Sequence, residues 1–325
     1  MLISVFKRNL FINSLLLLPI AILVRVTSLM FPEKTETINS GGILYHTLIK
    51  YLPETPVYKP IISVLMVFLT AVIINRLMIK NRIANDITLL PGLFYIILSS
   101  LVPELFVFSP ILFASFFLIQ AFSNLFKTYK KYNSERFLFN TGFYFGISVL
   151  FCNSFIVFLL PVLIGFVSIR SYNLREFLQL LSGVALIAYF YTFYLFFSGQ
   201  NFEFESFTFS YLFKFINESI SMLILTIVTA SLIFIILFTY SSFIKKKSIQ
   251  SQKKVNILFW FVLSAMLAFM FFNPAYRYSY FLTLAFGFSY FTSAIFLKIK
   301  NKMLSEIVYV IIVFLILIYQ FQYYI

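Results

Sequence analysis

The side chains that could do chemistry in this chain lie in short polar stretches between long apolar runs, and the densest of these is residues 30–59. It holds Glu33, Glu36, Glu54 and the only histidine, His46. Glu33 and Glu36 are three positions apart, so on a helix or tight turn their carboxylates are neighbours. Such a pair can act as a general base toward a hydroxyl, or hold a divalent cation through oxygen ligands. Solvated loop acids are the alternative, because a loop beside a membrane needs polar residues. Further along, Gly41-Gly42 precede a run from Ile43 to Leu52 that Pro53 stops. Leu44, Leu48 and Tyr51 or Leu52 share one helical face, with His46 and Lys50 on the other. The pattern predicts a helix in the interface plane that either anchors the loop or turns His46 and Lys50 toward a ligand.

Three later positions have similar potential. Glu104 follows Pro103 between two apolar runs, where it is either a capping residue or the wall of a site. Asn153 sits in a tight turn, Cys152-Asn153-Ser154. Arg277 lies between Tyr276 and Tyr278, and a forked guanidinium at headgroup level suits a phosphate. That phosphate belongs either to a bound substrate or to an ordinary phospholipid.

Membrane helices must position all of these. Of 325 residues, 61% are hydrophobic and 11% charged, a balance that places the chain in a bilayer. About eleven windows approach the ~20 apolar residues a spanning helix needs: 9–31, 61–79, 87–102, 106–126, 137–152, 155–169, 177–197, 221–243, 255–272, 280–297 and 304–324. The expected fold is all-α: one transmembrane domain over residues 1–325, with outer loops at 32–59 and 199–219. The first window has no small-residue cleavage site and reads as an uncleaved helix. Arg25, near its far end, is expected to snorkel to the interface, since a guanidinium at the bilayer centre is costly.

The basic residues collect in alternate connections. Lys7 and Arg8, then Arg76, Lys80 and Arg82, then Lys127, Lys130, Lys131 and Arg136 fall on one side, as do Arg170, Arg175 and Lys245 to Lys247. The opposite side has only Lys34, Lys50, Lys59, Lys214 and Arg277. Positive charge stays in the cytoplasm, so the N-terminus is expected inside and the Glu33, Glu104, Asn153 and Arg277 loops outside. The formal charge of +14 is spread among these loops rather than forming a stripe, which argues against nucleic acid. A single cysteine excludes an internal disulfide and a thiolate metal cluster. Phosphate-cradle and HExxH motifs are absent, so no cofactor is implied, although a divalent cation on the carboxylates stays open. No acid, lysine or histidine lies deep in the later windows and no duplicated halves are evident, which weakens a transporter reading.

This order of features resembles the GT-C superfamily of membrane glycosyltransferases. The likeness lies in a first span followed by a long acidic loop, a second acid after the third span, and a basic inner loop. A hairpin then rises through Gly142-Phe143-Tyr144-Phe145-Gly146 and returns through Phe158-Leu159-Leu160-Pro161-Val162, and a late turn reads Tyr276-Arg277-Tyr278-Ser279-Tyr280. The resemblance implies an enzyme of the bacterial inner membrane that takes sugar from a polyprenyl-phosphate donor. It makes Glu33 or Glu36 the first catalytic acid, Glu104 the second, and Arg277 a contact to the donor phosphate. The chain departs from that pattern in having no Asp in its first loop and no charged residue in the Asn153 turn. It also resembles a family of flavobacterial membrane proteins, a likeness that implies no particular activity. A non-enzymatic subunit of an envelope assembly, its aromatic spans binding partner proteins, is the competing expectation.

Overall fold

The computed structural model describes residues 2–7, 11–34, 41–53, 55–81, 83, 87–131, 134–170, 173–199, 219–244, 247–271, 277–299 and 301–324. Among them the secondary structure is helical, with no strand. Every apolar window contains helix, because a run without water can satisfy its backbone groups only internally. Seven of the described helices are long and apolar enough to cross a membrane. These are α6 (Tyr58–Lys80), α8 (Pro110–Lys127), α11 (Leu174–Ser198), α12 (Ile220–Ile244), α13 (Ile249–Phe271), α14 (Arg277–Lys298) and α15 (Lys302–Tyr324).

The other windows are shorter or broken. The first is divided into α2 (Phe11–Leu15), α3 (Leu17–Val24) and α4 (Val26–Met30), after a short α1 (Leu2–Phe6). The third yields only α7 (Leu90–Leu98), 9 residues long and so about 14 Å at ~1.5 Å per residue. The hairpin consists of α9 (Glu135–Phe151), a 3₁₀ turn over Asn153–Phe158, and α10 (Leu159–Ile169). The predicted interfacial helix is α5 (Ile43–Tyr51).

Packing grades from centre to edge. All of α7 is buried, and α8 and α14 each bury 78% of their spanning window, against 22% for α11 and α15 and 28% for α12. Small residues set the close approaches. A Cβ on Gly142 would stand 2.0 Å from the Leu180 carbonyl oxygen, and one on Gly183 2.3 Å from that of Phe139. The Gly142 to Gly146 stretch therefore lets the backbones of α9 and α11 meet, as small residues do between membrane helices.

The described connections fall at two ends of the bundle. At one, Leu89 N–H donates to Phe6 O (2.8 Å), Lys247 Nζ to Ile83 O (2.7 Å) and Lys254 Nζ to Asn81 O (3.2 Å). Arg170 joins Glu176, Ser134 and the Lys131 carbonyl there. At the other, Gly42 N–H donates to Phe151 O (2.9 Å) and Tyr45 Oη to Phe108 O (2.6 Å). We call the first of these the basic end and the second the Glu104 end.

Candidate functional site at the Glu104 end

The site is built around a short helix that cannot finish within its own sequence. Helix ends leave N–H and C=O groups without partners, and α7 is enclosed, so water cannot serve them. At its N-terminal end, Asn75 of α6 accepts from Gly92 N–H at 2.7 Å. At its C-terminal end the chain leaves helical geometry through Ser99 and Ser100, and the carbonyls there need donors.

Arg25 supplies them. It marks the break between α3 and α4, with φ −114° and ψ 20°. Its Nη2 donates to Ser99 O (2.6 Å), Nε to Ser100 Oγ (3.0 Å) and Nη1 to Ser63 Oγ (2.8 Å). The guanidinium also lies 4.8 Å from the centre of the Phe106 ring. Gln320 of α15 donates to Ser100 O (2.9 Å) and accepts from Thr27 Oγ1 (3.1 Å). Arg25, Ser99, Ser100, Thr27 and Gln320 are all enclosed. The expectation that Arg25 snorkels is therefore wrong. Its charge stays inside because a helix C-terminus, with its carbonyls and negative dipole end, offers what the headgroup region would have offered.

The segment held this way carries Glu104 on a 3₁₀ turn, Pro103–Phe106. Glu104 is partly buried, not free in a solvated loop. Its carboxylate and the Tyr278 hydroxyl both act electrostatically on the hydroxyl of Tyr319. Those phenols are fixed from the start of α12 and the residue before it: Ser219 Oγ meets Tyr278 Oη at 2.7 Å and Ser221 Oγ meets Tyr319 Oη at 2.6 Å. One acid and a set of hydroxyls from α12, α14 and α15 thus converge beside the first turn of α14. Arg277 opens that turn; its side chain and Tyr276 lie outside the described residues.

The remaining predicted residues that are described share this end. Glu33 is exposed on a single 3₁₀ turn, Pro32–Lys34. Phe31 beside it stacks on Tyr324 (5.8 Å), which ties this turn to the end of α15. Glu36 lies outside the described residues, so its pairing with Glu33 has no structural counterpart here. In α5, His46 and Lys50 are exposed, on the face expected. Leu44, Leu48 and Leu52 pack against the core as the spacing predicts, with Leu52 rather than Tyr51 completing the face; the fully buried anchor is Tyr45, its ring 5.8 Å from that of Phe108. Burial pushes the Tyr45 phenol up from its ordinary range. The glycine pair explains the docking, since a Cβ on Gly42 would fall 2.1 Å from Leu150 O. Asn153, partly buried, follows Cys152 in the turn that receives Gly42. No group of three His, Cys, Asp or Glu among the described residues could hold a metal ion.

Sequence reading missed Arg25 as an organiser and the serine and tyrosine hydroxyls around Glu104. The usable signal was the Ser99-Ser100 pair three residues before Pro103, with Thr27 and Gln320 as polar residues inside apolar windows. No protein-family model, curated protein or solved structure matches the chain.

Proposed function

We propose that this chain is a GT-C-like membrane glycosyltransferase, crossing the bacterial inner membrane about eleven times with its N-terminus inside, and that Glu104 is its catalytic base. The observation that carries this reading is the placement of Glu104 on a pinned, non-helical segment beside the Tyr278 and Tyr319 hydroxyls at the start of α14. A carboxylate held at the margin of an apolar bundle is placed to take the proton of an acceptor hydroxyl. The acceptor oxygen forms a bond to the sugar's anomeric carbon as the bond from that carbon to the phosphate oxygen breaks. The proton passes to Glu104, and the polyprenyl phosphate leaves with the electron pair. Arg277 and the Tyr278 hydroxyl stabilise the charge on the departing phosphate. Glu33 flanks the approach from the first outer loop, with His46, Lys50 and Asn153 on the acceptor side.

The test is release of polyprenyl phosphate from a panel of polyprenyl-phosphate sugars by the protein reconstituted in vesicles. Glu104→Gln keeps the shape but not the base, and removing a general base lowers turnover by about 10²- to 10⁴-fold. Turnover unchanged in Glu104→Gln sinks the assignment. A second reading, a structural subunit of an envelope assembly, is favoured by the open aromatic face of α11. There Tyr189, Phe190, Phe193 and Phe197 are all at least half exposed, room for a partner helix as much as for lipid. A stoichiometric protein partner, with no donor turned over, selects it.

A further inference from the structure

At the basic end, four cations from two helices and a loop face one another. Arg76 and Lys80 belong to the last turns of α6, Lys127 ends α8, and Lys131 lies just beyond it. Arg76, Lys80 and Lys131 all act electrostatically on Lys127. The Lys131 ammonium stands 4.2 Å and that of Lys127 6.0 Å from the centre of the same Phe137 ring. Lys127 Nζ reaches a neutral partner, Asn124 Oδ1, at 3.0 Å. Nearby acids are engaged elsewhere: Glu176 by Arg170, and Glu135 by Arg175. Arg76 and Lys80 are exposed and make no ion pair among the described residues.

Where those two cations sit on α6 indicates what they meet. Ile61, Leu65 and Leu69, at 45%, 49% and 36% exposure, form an apolar stripe at helical spacing along the outside of α6. Arg76 and Lys80 continue that stripe at its end. A lipid whose chains lie along the stripe has its phosphate delivered to the two cations, with Lys127 and Lys131 beside it. A free anion in water gains nothing from the stripe, and a zwitterionic headgroup brings its own cation into the cluster.

We propose that Arg76, Lys80, Lys127 and Lys131 form a binding site for the phosphate of an anionic phospholipid whose acyl chains pack along α6. The site is separate from the Glu104 region and stands whether or not that region is catalytic. Near a membrane surface each Lys or Arg strengthens binding of an anionic lipid by about fivefold.

The experiment uses the full-length protein in nanodiscs of mixed phosphatidylcholine and phosphatidylglycerol, with the lipids retained on release counted by native mass spectrometry. The expected result is selective retention of phosphatidylglycerol by the wild type. Retention falls about fivefold in Arg76→Gln and in Lys80→Gln, and by roughly 25-fold in the double variant. Lys253→Gln, an exposed lysine of the same end on α13, leaves retention unchanged. Because both α6 side chains are exposed, unfolding in pure phosphatidylcholine is the same for wild type and double variant, which shows that the fold is intact. Equal retention of the two lipids overturns the proposal. So does an equal loss in Lys253→Gln, which marks bulk charge, and so does full displacement of the lipid by inorganic phosphate at about millimolar concentration, which marks a free-anion site.

Discussion

Arg25 and Arg76 sit on apolar helices of the same bundle, and the protein treats them in opposite ways. Arg25 is enclosed by neutral groups, its charge spent on serine hydroxyls and on carbonyls that a short helix leaves without partners. Arg76 stands exposed near three more cations and no acid among the described contacts. The difference shows that charge in a membrane protein follows local backbone demand as well as distance from water. A finished helix such as α6 has no use for an internal cation. The interrupted helix α7 does, and the segment that follows it carries the acid of the candidate site.

The largest effect follows directly. Arg25→Ala removes three hydrogen bonds and leaves Ser99 O buried without that donor, a loss of about 3 kcal/mol given the modest worth of such bonds between membrane helices. Arg76→Gln is expected to be within about 0.5 kcal/mol of wild type, as surface substitutions usually are. Equilibrium unfolding in mixed detergent micelles measures both. Arg25→Lys sharpens the point: it retains the charge but not the planar fork, so it should recover less than half of the loss. Full recovery by lysine would mean that charge alone, not geometry, is what α7 needs.

A medium effect probes how the same end is closed. In Gly42→Ala the new methyl meets the Leu150 carbonyl, a backbone atom that cannot swing aside. Overpacking of this kind costs about 1–3 kcal/mol. It should lift α5 from α9, and Cys152, one residue beyond the bond that Gly42 makes, should then react faster with a thiol reagent. Gly41→Ala meets first a ring atom of Tyr45 rather than a backbone atom of α9, so its labelling should stay closer to wild type. Equal labelling of the two variants would show that side-chain crowding, not backbone approach, sets the docking.

These contrasts also explain what could be read from the sequence. The apolar windows contain helix throughout, and seven of the described helices are long and apolar enough to span, because hydropathy is a property of contiguous residues. Arg25 was misread because its partners Ser63, Ser99 and Ser100 lie far along the chain and carry no charge, so a search for a counter-ion passes over them. Leu44, Leu48 and Leu52 pack as their spacing predicts, but Tyr45 was overlooked, because helical spacing assigns faces and not the tilt of a helix against its neighbour. The carbonyls of Phe108 and Phe151, which α5 docks against, are backbone atoms that no residue pattern advertises. Glu104 was legible as a confined acid; the Tyr278 and Tyr319 hydroxyls were not, since phenols are plentiful at every membrane interface.

The smallest effect concerns a cation between the two extremes. Lys247, in the connection from α12 to α13, is half-buried; it donates to Ile83 O and to the Tyr290 hydroxyl. Burial first, and repulsion from Lys298 second, hold its pKa down to about 8, from an ordinary 10.5. The unfolded chain then binds the proton more tightly than the folded one. Stability therefore rises with pH between about 8 and 10.5, and the penalty is present in full below 8. Unfolding compared at pH 7.5 and 10 should show a gain with pH in the wild type relative to Lys247→Met, which has no proton to lose. Lys253→Met, at an exposed position, should track the wild type. If the wild type and Lys247→Met share one slope, Lys247 is solvated as freely as Arg76. The basic end then has no enclosed cation in this connection, and the contrast with Arg25 becomes sharper than the structure alone makes it.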